Sequence, residues 1–434
     1  MSPEEHRRRR QELMRRVGAD GVVVVASSRE VIRNRDTHYP FRQHSDFLYL
    51  TGFPEPDAVL VLLPGRPDGE YVLFCRNRDP EREVWDGRRA GPEGAVSVYG
   101  ADQAYSIDRL DALMPQLLAG RRTLHAFMGV DPGFDARLLG WTRQVRERIR
   151  AGVVAPERLE ALESSLHAMR LIKSPAEIEQ MQRSADIAAR AHCEAMRGTC
   201  PGLYEYSIEA GFHAVFKAHG GEHAYPPIVA AGENACVLHY VTNDGPLRDG
   251  DLLLIDAGCE LDGYASDITR TFPISGRFSG EQRALYEVVL EAQAQAIAEV
   301  GPGRGWNAGH EAAVRVLCRG LVDLGLLHGD VDGLIEREAY RPFYMHRTGH
   351  WLGMDVHDVG DYKCAGEWRA LEPGMVLTVE PGLYVSASLD GVDPRWHGIG
   401  IRIEDDVLVT ADGSRVLTGG VPKRIDAIEA LMAS

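Results

Sequence analysis

The stretch Leu252-Leu-Leu-Ile-Asp-Ala-Gly-Cys-Glu-Leu-Asp-Gly-Tyr-Ala-Ser-Asp-Ile-Thr-Arg-Thr-Phe272 decides how this chain is read. Apolar and β-branched residues flank an Asp-Gly turn signal, which predicts a strand, a tight turn near Glu260 to Gly263, and a returning strand. A turn centred on Leu261 and Asp262 sets Asp256 opposite Asp267 and Ile255 opposite Ile268. A turn centred one residue later makes the two aspartates diagonal neighbours, still on one face because side chains alternate with period two. Directly opposed positions bring Cβ atoms to roughly 4.5–5.5 Å. Two ionised carboxylates that close repel unless a cation lies between them or one takes up a proton. Leu253, Ile255, Ile268 and Phe272 form an apolar face that can bury. Taken alone, the hairpin can also be read as two turn aspartates on a solvated edge.

The surrounding chain sets the context. At 434 residues it exceeds the usual single-core size, so two domains are expected. With 44% hydrophobic and 26% charged residues it has the composition of a soluble globular protein. A net charge of −16 and a pI near 5.5 disfavour phosphate backbones, so no nucleic-acid partner is expected. The cysteines, Cys75, Cys193, Cys200, Cys236, Cys259, Cys318 and Cys364, are scattered and form no C-x-x-C pair. Neither a zinc ribbon nor a disulfide framework is suggested, and a reducing cytoplasm fits best. Arg7 to Arg10, Arg15 and Arg16 read as one face of a solvated helix, the alternative being an arm for nucleic acid or membrane. The apolar run Val22 to Ala26 is too short for a signal peptide's core or a bilayer span, so no membrane is expected.

Residues 1–172 read as an α/β domain. Strand-like runs at Gly21–Ala26, Ala58–Leu63, Tyr71–Cys75 and Thr123–Met128 alternate with helical patterns at Ile107–Leu118 and Phe134–Ile149. Between the first strands, Asn34 to Phe53 mixes polar and aromatic residues without period over its first half, and long loops of this kind are more often functional than decorative. Helical residues from about Pro156 to Leu171 lead to Ser174-Pro-Ala-Glu177, which has a cap residue, a first-turn Pro and a Glu three residues after the cap. A second domain, 173–434, opens there with an amphipathic helix through Ile178, Met181, Ala185 and Ala188, stopped by Cys200-Pro-Gly. Helices near 281–299 and 308–324 separate the hairpin from a run of strands starting around 344, giving two halves of similar content. Gly301-Pro-Gly-Arg-Gly305 is a helix end and turn rather than a phosphate loop, since no Lys-Ser/Thr follows.

Further acidic and histidine residues fall in site-like settings. Met345-His-Arg-Thr-Gly-His-Trp-Leu-Gly-Met-Asp-Val-His-Asp358 holds three histidines among glycines, although a chain with 16 histidines can group three by chance. In Met375-Val-Leu-Thr-Val-Glu-Pro-Gly382 an apolar strand delivers Glu380 to its end. In Ile399-Gly-Ile-Arg-Ile-Glu404 alternation sets the isoleucines on one face and Arg402 and Glu404 on the other. Asp256, Asp267, Glu380 and Glu404 with one histidine make a donor set hard enough for Mn²⁺ and compatible with Co²⁺, Zn²⁺ or Fe²⁺. Four carboxylates exceed the charge of one divalent ion, so two bridged ions, ~3.5–4 Å apart, balance better.

These motifs resemble the metal motifs of the pita-bread metallopeptidases, in the branch of the Xaa-Pro aminopeptidases (aminopeptidase P), and the similarity covers nearly the whole chain. Arg33-Asn-Arg-Asp-Thr-His-Tyr-Pro-Phe-Arg-Gln-His-Ser-Asp-Phe47 resembles that branch's N-terminal signature, and Arg170-Leu-Ile-Lys-Ser-Pro-Ala-Glu-Ile178 its domain junction. The resemblance implies an α/β N-terminal domain and an α+β pita-bread (creatinase/aminopeptidase-like) C-terminal catalytic domain. It implies two divalent ions per subunit, Mn²⁺ first among candidates, with Asp256 on one, His350 and Glu380 on the other, and Asp267 and Glu404 bridging. Glu380 would also move a proton toward the leaving nitrogen. His239, His346 and His357 match histidines that line the site, orient substrate and stabilise the tetrahedral intermediate, and Arg402 matches a position just behind them. Tyr225, Tyr384 and Asp36 are the substrate-binding candidates, although Tyr225-Pro-Pro-Ile departs from a more polar segment in the family. The implied substrates are peptides with an Xaa-Pro N-terminus, and the implied assembly is a homo-oligomer, dimer or tetramer, with Trp85 near its contacts. The rivals are a prolidase with the same metal set, which the N-terminal signature disfavours, and a non-catalytic binding module or metal-free hydrolase of the fold, against which the full ligand set stands.

Overall fold

In the computed structural model, which describes residues 1–434, the hairpin turns on Asp262 and Gly263, with φ of 51° and 80°. Positive φ at both central residues is what a two-residue type I′ turn demands, and Asp-Gly supplies it at little cost. Of the two registers open to the sequence this is the later one. Asp256 pairs with Thr269 and Ile255 with Arg270, so Asp267 is a diagonal neighbour of Asp256. Between the strands Leu252–Asp256 and Cys259–Leu261, Gly258 passes so close to the returning chain that a Cβ there would stand 1.7 Å from the Ser266 carbonyl oxygen. Only glycine permits that approach.

The chain forms two compact units, Met1–Met169 and Arg170–Ser434. The first is built on a six-stranded mixed sheet in the order Gln103–Ser106, Tyr71–Cys75, Val59–Leu62, Gly21–Ala26, Thr123–Ala126, Arg158–Ala161. Val22, Val24, Val61 and Phe74 bury against Leu110, Met114, Leu138 and Trp141 of two covering helices. Two expectations fail here. Arg158–Ala161 is a strand, with helix only from Glu163 to Leu171, because parallel pairing with Thr123–Ala126 overrides the helix propensity of Arg-Leu-Glu-Ala. The N-terminal arginines are not all solvated: Arg9 and Arg10 of helix Pro3–Val17 are 1% and 4% exposed. They donate to the Tyr49 and Leu50 carbonyls near the end of helix Ser45–Thr51, at 3.1 and 2.8 Å, and lie over the Tyr49 and Tyr71 rings. Cations at a helix C-terminus meet orphan carbonyls and a favourable dipole. Arg7, Arg8 and Arg15 remain exposed.

The second unit opens with helix Pro175–Gly198, whose Ser174 and Glu177 complete a reciprocal capping box. It packs on helix Glu205–Ala218, and helices Gly280–Ala298 and Ala308–Asp323 form a second pair. Their apolar faces cover short antiparallel sheets: Ile228–Ala231, Leu252–Asp256 and Thr269–Pro273; Val376–Val379, Asp405–Val409 and Ser414–Val416; Gly382–Val385 and Ile399–Arg402. Leu253, Ile255, Phe272, Ile401 and Val407 are fully buried in one core with Leu285, Val289 and Leu317. The backbone of Glu404 donates to the Thr269 carbonyl at 3.0 Å, stitching the first group of strands to the last. The strands expected from about 344 begin later, since residues 344–358 form turns with a single bridge from Trp351 to Leu377.

Candidate metal centre and substrate cavity

Acidic and imidazole side chains reach one place from separate strand ends. Asp256 closes the strand Leu252–Asp256, and Asp267 lies just before Thr269–Pro273. Glu380 directly follows Val376–Val379, and Glu404 occupies the break between Ile399–Arg402 and Asp405–Val409. His350 is set by its neighbour Gly349, where a Cβ would stand 2.0 Å from the Thr378 carbonyl oxygen, so the turn presses against that strand. All of these residues line one cavity of about 450 Å³. Ligand atoms of Asp267, His350 and Glu404 lie within 4.8 Å of one another. His350 Nε2 is 3.4 Å from Asp267 Oδ2 and 3.7 Å from Glu380 Oε1. Tyr225 Oη lies 2.6 Å from Asp256 Oδ1 and 2.5 Å from Asp267 Oδ1, tying the two aspartates together.

Outer partners fix each of these groups. Thr269 Oγ1 is 2.6 Å from Glu404 Oε2, and Thr378 Oγ1 is 3.3 Å from Glu380 Oε1. Arg402 Nη2 donates to Asp256 Oδ2 at 2.7 Å and Nη1 to Tyr384 Oη at 2.9 Å. His350 Nδ1 donates to the Trp351 carbonyl at 2.9 Å, which turns Nε2 toward the carboxylates. Since Arg402 donates to the Tyr384 oxygen, the Tyr384 proton goes to His346 Nε2, 2.8 Å away. Burial, with the Arg402 charge, pushes His346 down to about 3, leaving the ring neutral.

The cluster is short of positive charge. Burial pushes Glu404 well above the usual carboxylate range, and the charges of Asp267, Glu380 and Asp256 push it further. Burial lifts Glu380 to about 7. Burial and the Asp256 charge raise Asp267. Asp256 is lowered, because Arg402 and Tyr225 outweigh its burial. Burial works against a charged His350, yet Asp267 and Glu380 lift it to about 9. Carboxylates crowded in this way hold protons or bind cations, and cation binding releases the protons. Carboxylate oxygens with one imidazole are a hard donor set, so these residues fit divalent ions.

His357 and His239 are exposed at the same cavity. The His357 ring centroid is 4.3 Å from that of His350, edge to face. Its loop is pinned by Asp358, which accepts from Lys173 Nζ at 2.9 Å and Arg170 Nη2 at 2.6 Å, all three side chains being 1–2% exposed. Burial opposes ionisation of Asp358, but Lys173 and Arg170 outweigh it and hold its carboxyl below the usual range. A depressed carboxylate contributes stability that is present above its unfolded value, roughly pH 4, and is lost as pH falls through the lower folded value. Asp358→Asn is therefore expected to cost about 1.5–3 kcal/mol at pH 7. The difference from wild type should shrink when denaturant unfolding is repeated below pH 4. A difference independent of pH would show that the charge of Asp358 is not what holds the loop.

Of the residues picked out by the sequence, the structure gathers Tyr225, His239, Asp256, Asp267, His346, His350, His357, Glu380, Arg402 and Glu404 around this cavity, with Tyr384 buried behind it. Asp36 belongs to the N-terminal unit, exposed at the turn between Ile32–Asn34 and Thr37–His38. The sequence reading missed Thr269 and Thr378. Each lies two residues from a ligand candidate, on the same strand face, so alternation could have flagged both. It also missed Arg270, Asp405 and Lys423, whose ion pairs meet at the buried Asp405 next to Glu404 and have no local signature.

A buried cluster of carboxylates and one imidazole, fed by a cavity lined with further histidines, is the site of a metallohydrolase. Residues 179–411 match the family model of metallopeptidase family M24, and residues 6–125 match that of the aminopeptidase P N-terminal domain. The chain belongs to metallopeptidase family M24. The Xaa-Pro aminopeptidase of Escherichia coli strain K12 is 44% identical over 436 residues, which cover 100% of this chain and 98% of that one. The solved structure of Pseudomonas aeruginosa aminopeptidase PepP has a TM-score of 0.98 and 55% identity, covering 100% of this chain and 98% of that one. A zinc-substituted E. coli aminopeptidase P in complex with product has a TM-score of 0.96 and 44% identity, with the same coverage. The fold is the α/β N-terminal domain and α+β pita-bread catalytic domain that the sequence implied.

Proposed function

We infer that this chain is an Xaa-Pro aminopeptidase, releasing the N-terminal residue from peptides with proline in second place. The observation that carries the reading is the convergence of Asp256, Asp267, His350, Glu380 and Glu404 on one cavity in a chain alike along its whole length to such enzymes. Two divalent ions belong to the proposal, and Asp256, Asp267, His350, Glu380 and Glu404 are the residues that would hold them. Manganese is the first choice for so hard a donor set. Bound there, such a pair supplies an activated water and polarises the scissile carbonyl. The rest is the work of side chains. His239 and His357 orient the peptide and donate to charge developing on the carbonyl oxygen, while His346, held by Tyr384, shapes the wall against which the peptide lies. Glu380, in reach of the cavity, carries the proton to the leaving nitrogen. Tyr225 keeps the two aspartates in register, and Arg402 links Asp256 to Tyr384, which holds His346.

A bond preceding proline is a tertiary amide with fixed φ and no N–H, so a protease that grips its substrate through that N–H cannot use it. The apolar wall of the cavity, with Pro226, Ile228, Leu238, Val241 and Val356, suits a substrate gripped by shape instead. A homo-oligomer, dimer or tetramer, is also proposed. Val84 and Trp85, 80% and 87% exposed, are apolar surface that association would cover. No helix is long and apolar enough to cross a membrane. All the cysteines are free, which suits the reducing cytoplasm proposed for it.

The test compares substrates with Mn²⁺ supplied. An Xaa-Pro-Yaa tripeptide is expected to release Xaa with kcat/KM roughly 10-fold or more above an Xaa-Pro dipeptide, since an aminopeptidase uses chain beyond proline to stabilise the transition state. An Xaa-Ala-Yaa control should fall roughly 10–200-fold for want of the ring's apolar contact. A dipeptide preference would move the assignment to a prolidase. No hydrolysis with Mn²⁺, Co²⁺ or Zn²⁺ would revive the binding module.

A further inference from the structure

The loop carrying His239 has little structure of its own. Between Ala231 and Gly245 it holds only a short 3₁₀ turn, Gly232–Cys236, and it gives Leu238, His239 and Val241 to the cavity wall. A loop so irregular keeps one shape only if its backbone groups are satisfied from outside. A single buried residue ties it down at four points, two on the backbone at its ends and two on side chains between them. Glu205, the first residue of helix Glu205–Ala218, is 0% exposed. Its Oε1 accepts from the Ala231 backbone at 2.8 Å and from Asn234 Nδ2 at 2.9 Å. Its Oε2 accepts from Tyr240 Oη at 2.8 Å and from the Gly245 backbone at 2.7 Å. The Glu205 backbone N–H returns a bond to the Gly245 carbonyl at 2.9 Å. The carboxylate thus grips the loop where it enters, beside its histidine, and where it leaves. Its roughly four acceptor sites are all in use. Its place in the first turn of a helix favours the negative charge.

We propose that Glu205 is a positioning residue for catalysis, a clamp that holds the 231–245 loop so that His239 meets the substrate in one orientation. The inference rests on the reading of His239 as a substrate-facing residue. Asn243 shares the task at the loop's far side: its Oδ1 accepts from the Val229 backbone at 3.0 Å and its Nδ2 donates to the Pro227 carbonyl at 2.9 Å. None of these contacts involves a metal-ligand candidate. Loosening the clamp therefore disorders one wall of the cavity and leaves the acidic cluster intact.

Glu205→Gln is the sharpest probe, because it keeps the shape but turns an NH₂ group toward two of the donors. The variant is expected to lower kcat about 10–100-fold, because misplacing a group that acts on the substrate by about 1 Å can cost about 100-fold. KM should change less than about threefold, since the interaction lost matters in the transition state. Metal content should match wild type, and amide hydrogen exchange should speed up in 231–245 alone. Tyr240→Phe, which deletes one donor beside His239, should give the same pattern more weakly and serves if Glu205→Gln does not fold. In a His239→Ala background, Glu205→Gln should lower kcat less than about threefold further, because residues acting through one another are not additive. The proposal is overturned if the factors multiply in full, if only KM rises, or if 231–245 keeps its protection from exchange. Failure of the underlying reading looks different: His239→Ala would then turn over like wild type while Glu205→Gln still loosened the loop.

Discussion

Asp267→Asn is expected to lower kcat/KM by about 1,000-fold or more, because a single preorganised group acting on developing charge carries about 100–1,000-fold by itself and Asp267 is proposed to help hold the ions. Its oxygens face Tyr225 on one side and His350 on the other, 2.5 and 3.4 Å away, so the amide keeps the shape and loses the charge. Bound metal, measured by elemental analysis after gel filtration, should fall with the activity. Stability separates this outcome from simple misfolding. Without metal, Asp267 is a raised carboxyl among buried carboxylates, and neutralising it relieves repulsion. In chelator the variant should therefore unfold at a temperature no lower than wild type. With Mn²⁺ added, wild type should gain stability from ligand binding and the variant little. Full metal occupancy with normal turnover would remove the two-ion assignment.

How much of this could be read from the chain depends on where each residue finds its partners. The hairpin was legible because Asp262-Gly263 is a local signal, although its exact register was not, since two turn centres fit the same pattern. Asp267, Glu380 and Glu404 were legible because strand alternation and Pro-Gly breaks present them at strand ends. Long-range partners left no such mark. The burial of Arg9 and Arg10 depends on helix-end carbonyls 40 residues downstream, and nothing in Arg-Arg-Arg-Arg says which guanidinium will be covered. The strand Arg158–Ala161 takes its shape from Thr123–Ala126, against its own propensity. Glu205 reads as an ordinary first-turn glutamate. Its role exists only because donors 26 to 40 residues later fold back onto it.

Arg270→Met should bring the largest loss of stability, and it tests how the floor of the site is built. Arg270 and Asp405 are both 0% exposed and meet at 2.7 Å. Arg270 Nη1 also donates to the carbonyls of Thr269 and Glu404, at 2.9 and 2.5 Å, and Nη2 to that of Val421 at 3.2 Å. Asp405 in turn accepts from Lys423, Gln293 and Thr418. Removing one partner of a buried pair leaves the other charge stranded, at a cost of about 3–5 kcal/mol. For a domain of this size that corresponds to a fall of roughly 10 °C in the catalytic unit's Tm, at about 2–4 °C per kcal/mol. Asp405 keeps Lys423, whose side chain is 30% exposed and so sets the charge partly in water, a weaker remedy than a buried guanidinium. Arg270→Met combined with Asp405→Leu should recover much of the loss, because two apolar groups of similar volume leave no stranded charge and Lys423 can turn to solvent. Activity should not return with it. Arg270 holds the Glu404 carbonyl, and the Thr269 carbonyl, on the residue whose hydroxyl bonds the Glu404 carboxylate, loses one of its two donors at the same time and keeps only the Glu404 N–H. A double variant as stable as wild type and still poor in bound metal would separate what this ion pair does for the fold from what it does for the site. If Arg270→Met alone unfolds within about 1 kcal/mol of wild type, Lys423 suffices for Asp405 and the pair serves position only.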